Sequence, residues 1–259
     1  MIEVRELHEM AELVRVDALF DDIWQFGPGA PPITIELMRA LAHAGGYVAG
    51  AFDGDLLVGG SVGFLAAGLT LHSHVTGATR PGAGYDLKLH QRRWALEHGL
   101  ERITWTYDPL VRRNAHFNLA KLGARPLSYL PCFYGVLDDP INQGDESDRL
   151  LASWPSAAPH VTAPAEGGAH PPRHGGSVPP DAVVALADEG GRPVVAPVGG
   201  AARTVLVAVP EDIEGLRRAD PGAGKAWRHA VRDVLGGLMA EGHAVTGFSG
   251  KRYYVVERA

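Results

Sequence analysis

The residues best suited to hold a charged ligand form the turn Arg80-Pro81-Gly82-Ala83-Gly84-Tyr85, which follows a strand-like apolar segment and opens an amphipathic helix. Backbone N–H groups at a helix start have no partner within the helix and lie at the positive end of its dipole. Glycines at 82 and 84 let an anion approach the backbone closely. The pattern predicts a pyrophosphate-binding turn, a feature that many folds share.

Two histidines precede this turn on the same predicted strand. His72 and His74 alternate along the chain, so their side chains share one face. A neutral imidazole can accept a proton near pH 7. Histidines beside a sheet also serve as hydrogen-bonded structural residues, and the sequence leaves both interpretations open.

Two arginines four residues apart form a second candidate site. Arg228 and Arg232 lie on one face of the predicted carboxy-terminal helix and cannot neutralise each other. Their spacing favours an anionic partner, such as a substrate carboxylate. The alternative partners are solvent or a nearby carboxylate, such as Asp233 or Glu241. The adjacent Trp227 is expected to pack in the core.

Apolar periodicity and turn residues predict the elements that hold these groups. The first half contains a strand at 2–5, helices ending before Gly27 and at 35–43, strands at 47–52, 56–64 and 69–75, a helix at 85–98, a strand at 103–107, a helix at 114–122 and a strand at 128–137. The second half contains strands at 148–154, 182–187, 193–197 and 204–209, a helix at 224–241, and strands at 244–248 and 252–256. This alternation predicts an α/β protein.

Composition shifts predict three parts, 1–139, 140–180 and 181–259. The middle part contains a possible strand and then a stretch, 155–180, that is rich in Pro, Gly, Ala and His and typical of a linker. Its three histidines, His160, His170 and His174, are irregularly spaced, which favours solvated loop residues over a metal site.

The composition excludes several classes of protein. The 259 residues are 46% apolar and 21% charged, with a net charge of −6, which argues against nonspecific binding to nucleic acid. No apolar segment is long enough to cross a bilayer. The single cysteine, Cys132, agrees with a reducing compartment and is interpreted as a small buried thiol, so we expect a cytoplasmic protein without a membrane partner.

The order strand, glycine turn, long helix, strand, short helix, strand resembles the core of the GNAT superfamily of acyl-CoA-dependent N-acyltransferases, over about the first half of the chain. A closer resemblance is to a GNAT subgroup associated with N-acylation of amino acids, including N-succinylation. The motifs that carry it are Leu71-His72-Ser73-His74, Gly82-Ala83-Gly84-Tyr85, Thr104-Trp105-Thr106-Tyr107-Asp108-Pro109-Leu110, Arg113-Asn114-Ala115-His116-Phe117-Asn118, Trp227-Arg228 with Arg232, and Arg252-Tyr253-Tyr254.

The resemblance implies a GNAT-like mixed sheet with flanking helices, and a smaller carboxy-terminal α/β unit that covers or completes the acceptor site. It also implies that the strand before the turn separates from its neighbour and exposes backbone groups to the cofactor. The implied cofactor contacts are Val75, Thr76 and Gly77 with pantetheine, Arg80, Gly82, Ala83, Gly84 and Tyr85 with the diphosphate, and Asn114 and Phe117. Asn118, one helical turn from Asn114, is a candidate substrate contact with solvent contact as its alternative, and Arg228 and Arg232 are the other candidate substrate contacts. For Asn114 the alternative role is helix capping.

Two positions depart from the superfamily pattern. Thr79 stands where the turn usually begins with Gln or Arg, and Leu119 stands where counting back from Gly123 places the usual catalytic tyrosine. The acid and base must therefore come from elsewhere. His72 and His74 are the candidate bases, while Tyr134 is a candidate donor to the thiolate unless it packs in the core.

Asp108 completes the set of catalytic candidates. It follows a predicted strand, where a carboxylate is well placed to hold an ammonium group, although Asp-Pro is also an ordinary turn opening.

The resemblance implies direct transfer of an acetyl or succinyl group from acyl-CoA to the primary amine of an amino acid or related small molecule. We expect no metal, no nucleic-acid partner and a chain capable of homodimerisation. The alternatives are a CoA-binding or small-molecule-binding protein that has lost catalysis, and a scaffold that binds a protein partner.

Overall fold

The computed structural model describes residues 2–26, 31–137, 139, 141–157 and 179–258. The chain divides into two compact units, one containing Met1–Trp105 with Pro155–Ala157 and the other containing Thr106–Trp154 with Ala158–Ala259. Most of the predicted linker, including His160, His170 and His174, lies outside the described residues. The boundaries inferred from composition, at 139 and 181, stay predictions.

The first unit is a mixed sheet with helices on both faces, as predicted. Its elements are β1 (Ile2–Glu6), α1 (Met10–Trp24), α2 (Ile35–His43), β2 (Tyr47–Asp53), β3 (Leu56–Ala66), β4 (Thr70–Ala78), α3 (Ala83–Glu97) and β5 (Arg102–Tyr107). Strands β1 to β5 are successive neighbours. The pairs β1–β2, β2–β3 and β3–β4 are antiparallel, whereas β4 and β5 are parallel.

Helices α1 and α3 cover opposite faces of this sheet. A Cβ added at Gly60 would stand 3.0 Å from Val16 of α1, whereas one added at the adjacent Gly59 would stand 2.9 Å from Leu87 of α3. Successive residues of a strand point to opposite faces, so the two helices lie on either side of β3. The apolar core beneath α1 and α2 consists of Leu7, Leu13, Val16, Leu19, Phe20, Ile33, Met38, Val48, Phe52, Leu57 and Val62.

The second unit contains a second sheet. Its elements are α4 (Arg112–Ala115) continued by a π-helical turn (His116–Lys121), β6 (Arg125–Leu130), β7 (Val136–Leu137), β8 (Asp145–Glu146), β9 (Arg149–Pro155), β10 (Val183–Glu189), β11 (Arg192–Val195), β12 (Thr204–Ala208), α5 (Ile213–Ala219), α6 (Pro221–Val231), a π-helical turn (Arg232–Gly236), α7 (Gly237–Ala240), β13 (Ala244–Ser249) and β14 (Tyr253–Glu257). Five strands pair in the order β11-β10-β12-β14-β13, and β6 pairs with β9.

Among the predicted elements of this unit, one strand and the long carboxy-terminal helix have bounds that differ from those expected. The predicted strand 128–137 ends at Leu130, because Cys132 has a φ of 45° and Gly135 a φ of 78°, which turn the chain away from an extended path. The predicted helix 224–241 begins earlier, at Pro221, where the Asp220 side chain accepts a hydrogen bond from Ala223 N.

A buried ionic cluster joins α5 and α6 to the residue after β5. Arg228 donates two hydrogen bonds to Asp108, at 2.9 and 2.8 Å, and Arg217 donates a third at 3.0 Å. Both arginines also donate from Nε to Asp145 Oδ2. Arg228 is 0% exposed and Arg217 is 2% exposed, so two cations and two anions neutralise one another inside the unit. Burial raises the pKa of Asp108, but the two guanidiniums outweigh it and hold that pKa well below its usual value.

No helix among residues 2–26, 31–137, 139, 141–157 and 179–258 combines the length and apolarity needed to cross a membrane.

We expect Asp108→Asn to lower the free energy of unfolding at pH 7 by about 3–5 kcal/mol, because it leaves two buried guanidiniums with Asp145 as their one remaining counter-charge in the cluster. A carboxyl whose pKa is depressed on folding stabilises the fold above its unfolded pKa of about 3.9, and this contribution is lost as pH falls through the folded value. Urea unfolding followed by circular dichroism from pH 3 to pH 7 measures both effects.

The matched control is Glu214→Gln, which breaks the Arg113–Glu214 ion pair at the surface of the same unit. We expect it to cost at most about 1 kcal/mol. An equal cost for both variants would contradict the central role of the buried cluster.

Candidate functional site

Strands β4 and β5 separate soon after they pair. Their parallel pairing consists of Thr70 with Arg102, Leu71 with Ile103 and His72 with Thr104. β4 then continues to Ala78, still paired with β3 on its other side. From Ser73 onward, the edge of β4 that faces β5 has no pairing with β5 among the described residues. The separation implied by the resemblance is therefore present.

A β-bulge lies at the point of separation. Val62 of β3 faces Val75, and the next residue, Gly63, faces Ser73, so His74 is an extra residue in β4. A bulge bends its strand and redirects its side chains. The bend coincides with the start of the unpaired edge.

The glycine turn that ends β4 is open. Gly82 is the N-cap of α3, with a φ of 93° and no side chain to cap the helix. A Cβ added at Gly82 or Gly84 would meet no atom within 4 Å, so the backbone is not covered by neighbouring side chains. Within the turn, Tyr85 N and Asp86 N donate to Gly82 O. The helix start is thus accessible to an external anion.

Two carboxylates lower the positive charge near the turn. Arg80 forms an ion pair with Asp53, and both side chains are partly exposed. Asp86 lies in the first turn of α3. A bound diphosphate would compete with Asp53 for Arg80, whereas Asp86 repels it.

His72 and His74 share a face, as predicted. The Phe64 ring lies 5.1 Å from the His72 ring and 5.9 Å from the His74 ring, measured between centroids. His74 Nε2 lies 2.9 Å from Pro32 O. Because a carbonyl only accepts, Nε2 carries the proton and Nδ1 is available as an acceptor in the neutral ring.

His72 is held against β5 and tends to be neutral. Its Nδ1 lies 3.1 Å from Thr104 Oγ1. Burial lowers the pKa of His72, and the charges of His74 and Lys88 lower it further. A neutral His72 at pH 7 meets the first requirement of a general base.

Lys88 of α3 lies where the strands separate, and the sequence analysis did not identify it. Its Nζ donates to Ser73 Oγ at 2.8 Å and to Gln91 Oε1 at 3.1 Å, and lies 4.2 Å from the centre of the Trp105 ring. Ser73 and Trp105 are the first residues beyond the last β4–β5 pair. The side chain is 5% exposed and makes no ion pair among the described residues, and burial lowers its pKa to about 7.

A sequence signal for Lys88 exists. The buried stripe of α3 has helical spacing and includes Leu87, Lys88, Gln91, Trp94 and Ala95. A lysine within such a stripe marks a polar group that the fold must hold inside.

The other residues of β4 that were predicted to contact the cofactor are Val75, Thr76 and Gly77, and the fold itself uses each of these positions. Thr76 Oγ1 bonds Ser61 Oγ at 2.7 Å, and Gln91 reaches the same serine. Val75 packs against the α1 core. A Cβ added at Gly77 would stand 2.6 Å from Trp24, so glycine lets α1 lie close to the strand. Only the backbone edge of these residues remains for a cofactor.

The helix predicted at 114–122 begins two residues earlier and is partly a π-helix instead of an α-helix. It begins at Arg112, so Asn114 does not cap it. Residues 116–121 form a π-helical turn in which Leu122 N donates to Phe117 O, five residues back. Such a turn holds more residues than an α-helical one, so counting back from Gly123 in α-helical steps does not locate a face. Asn118 is buried, and the cofactor and substrate contacts of this helix stay predictions.

Tyr134 lies in a turn and is not a core residue. It is 45% exposed, and its hydroxyl lies 3.2 Å from Thr106 Oγ1. Its proposed donation to a thiolate stays a prediction.

The structure gives Asp108, Arg228 and Arg232 internal partners. Asp108 is held by Arg217 and Arg228, so its carboxylate is not free to hold an ammonium group. Arg232 binds Asp148 and Glu146. The alternative expectation, that carboxylates of the protein neutralise Arg228 and Arg232, is confirmed, but the partners are not Asp233 or Glu241. Neither arginine therefore offers an unpaired guanidinium to a ligand. Trp227 is fully buried, which confirms its core position.

The part of the chain that the structure describes contains no group of three His, Cys, Asp or Glu side chains arranged to hold a metal ion.

No family model and no curated protein sequence matches this chain. Among solved structures, an N-acetyltransferase from Staphylococcus aureus Mu50 is similar with a TM-score of 0.50 and 11% identity, covering 60% of this chain and 99% of that one. The ribosomal-protein-S18-alanine N-acetyltransferase from Escherichia coli gives 0.49 and 11%, covering 61% and 96%. The acetyltransferase yncA from Salmonella typhimurium, solved with its cofactor acetyl-CoA, gives 0.49 and 14%, covering 61% and 97%.

At these identities the similarity concerns the fold. The mixed sheet, its flanking helices and the separated strands beside an open glycine turn together show that this chain has the GNAT N-acetyltransferase fold.

Proposed function

We propose that this protein transfers an acyl group, acetyl or succinyl, from acyl-CoA to the primary amine of an amino acid or related small molecule. One observation carries the proposal: the unpaired edge of β4 leads directly into the uncapped start of α3. The edge offers backbone groups to the pantetheine amides, and the turn offers N–H groups to the diphosphate.

The proposed reaction is direct attack of the amine on the thioester. Holding both reactants in one site supplies much of the acceleration, since acyl-CoA is already activated. Backbone N–H groups of β4 beyond the bulge would polarise the thioester carbonyl. His72, kept neutral by burial, would accept the proton that the amine loses. As the amide C–N bond forms, the C–S bond of the thioester breaks, and CoA leaves as a thiolate that takes up a proton to give the free thiol.

The second candidate is a CoA-binding protein without catalysis. Leu119, where the sequence pattern places the usual tyrosine, and Thr79, at the usual first position of the turn, favour it. Calorimetry with CoA, acetyl-CoA and succinyl-CoA tests what the two candidates share, and binding of none of them would refute both. Release of free thiol with D- and L-amino acids separates them, because the non-catalytic protein binds CoA and releases none.

We expect Gly84→Asp to weaken CoA binding by at least about tenfold, because it places a negative charge where the diphosphate would lie. The fold should tolerate the change, since a Cβ at this position meets no atom within 4 Å and an acid in the first turn suits the helix dipole. Calorimetry gives the dissociation constant, and thermal unfolding checks the fold.

Gly200→Asp is the matched control, since it adds the same charge at an exposed glycine whose Cβ would also meet no atom within 4 Å. It should leave CoA binding unchanged. An unchanged CoA affinity in Gly84→Asp would exclude the turn as the diphosphate site.

We expect His72→Gln to lower kcat by about 10²- to 10⁴-fold while the Kd for CoA stays the same, as loss of a general base requires. Because the pKa of His72 lies below the usual 6.5, the wild-type rate should fall only as pH drops below that value. A pH profile of kcat/KM measures this decrease in rate at low pH. The control is His90→Gln, whose ring contacts Tyr47 at 2.9 Å instead of the β4 edge; a loss as large there would argue against a specific role for His72.

We propose that Lys88 is a positioning residue that fixes Ser73 and Trp105 where the strands separate. Lys88→Met should weaken CoA binding by at least about tenfold and keep the fold, because methionine fills similar space without the cost of burying a cation. Lys225→Met, at an exposed lysine, is the control.

A second variant distinguishes this role from simple packing. Gln91→Glu would place a carboxylate beside Lys88 Nζ, 3.1 Å from the present amide oxygen, and raise the pKa of the amine from about 7. The pH above which CoA affinity falls should move upward in Gln91→Glu. A profile that does not move, with full affinity in Lys88→Met, would refute the role.

A further inference from the structure

Arg149, at the start of β9, has a largely unpaired guanidinium. Its Nη1 donates to Asp148 O at 3.0 Å, and among the described residues no carboxylate lies within ion-pair distance of it. Its side chain is partly exposed, and none of its nitrogen atoms belongs to the fully buried, unbonded ones. Its Nε and Nη2 thus have no hydrogen-bond partner among the described residues and are not fully closed off from solvent.

The neighbouring arginines behave differently. Arg217, Arg228 and Arg232 each bind two carboxylates. Asp108, the carboxylate that acts on Arg149 from further away, is already bound by two of these guanidiniums. Burial lowers the pKa of Arg149, and the charges of Arg228 and Arg217 lower it further. The charge of Arg149 is thus the one in this group that lacks a direct internal counter-ion.

Two further groups give this cation a defined surrounding. The guanidinium lies 5.4 Å from the centre of the Tyr134 ring. The Tyr134 hydroxyl lies 3.2 Å from Thr106 Oγ1, and both groups can donate. Tyr134 and its neighbour Phe133 are 45% and 48% exposed. The second unit thus combines the planar Arg149 guanidinium, the hydroxyl groups of Tyr134 and Thr106, and exposed aromatic surface.

We propose that Arg149, with Tyr134 and Thr106, forms a binding site for the carboxylate group of a small molecule. A guanidinium donates two parallel hydrogen bonds to a carboxylate, and the hydroxyl pair can donate a further one. The inference rests on the proposed function in one respect: it identifies this carboxylate as that of an amino-acid acceptor and of its N-acyl product. The anion predicted for Arg228 and Arg232 is thereby assigned to Arg149.

The test compares N-acetylglycine with N-acetylglycinamide, which lacks the charged carboxylate, by calorimetry and by chemical-shift titration of the full chain. We expect the wild-type protein to bind N-acetylglycine at least about tenfold more tightly. Arg149→Gln should abolish this preference and leave CoA affinity unchanged. Arg149→Lys should recover part of it, because it keeps the charge but loses the paired donors.

Arg218→Gln is the control, since Arg218 is exposed on α5. Should Arg149→Gln fail to fold, Tyr134→Phe keeps the test valid, because it removes an exposed hydroxyl and should weaken binding of N-acetylglycine alone. Equal affinity of the wild-type protein for acid and amide, or an undiminished preference in Arg149→Gln, would overturn the site.

The two proposals fail in different ways. Selective, Arg149-dependent binding of N-acetylglycine without CoA binding would support the carboxylate site and refute the transferase. CoA binding and acyl transfer without discrimination between acid and amide would do the reverse.

Discussion

The separation of β4 from β5 after three residue pairs is the constraint on which the proposed chemistry depends. A strand edge inside a sheet leaves backbone N–H and C=O groups that must find partners in water or in a ligand. The bulge at His74 bends β4 at this point. Lys88 contacts Ser73 and Trp105, which are the first residues beyond the last β4–β5 pair. The open start of α3 continues the same edge, so one local arrangement provides hydrogen bonds and positive potential together.

Buried charged side chains have two kinds of surroundings in this protein. Asp108 and Asp145 meet Arg217 and Arg228 in a neutral cluster with several hydrogen bonds, an arrangement that is costly to break and carries no net charge to a ligand. Lys88 has only neutral hydrogen-bond partners and an aromatic face. Holding a cation without a counter-ion costs free energy that packing alone does not return, which is why such groups are candidates for function.

Sequence reasoning succeeded where the cause is local. The α/β alternation, the successive strands predicted at 47–52 and 56–64 and the glycine-rich start of α3 follow from periodicity and turn residues, and the structure confirms them. It failed where a single backbone angle intervenes. Cys132 adopts a positive φ and ends β6 early, and nothing in the sequence near it requires that conformation. The π-helical turn at 116–121 likewise changes which residues share a face without altering the residue pattern.

The sequence alone determined the fold class and the position of the glycine-rich turn, because both depend on residues that are neighbours in the chain. It also placed His72 and His74 on one face. Tertiary structure alone decided which charges are free. Arg228 meets Asp108 from 120 positions away, and Arg232 meets Asp148 from 84 positions away, so no helical spacing could reveal that both are occupied. Lys88 became a candidate, and Arg149 was left unpaired, only when distant strands and helices packed together, because pairing of charges is a property of distance in space.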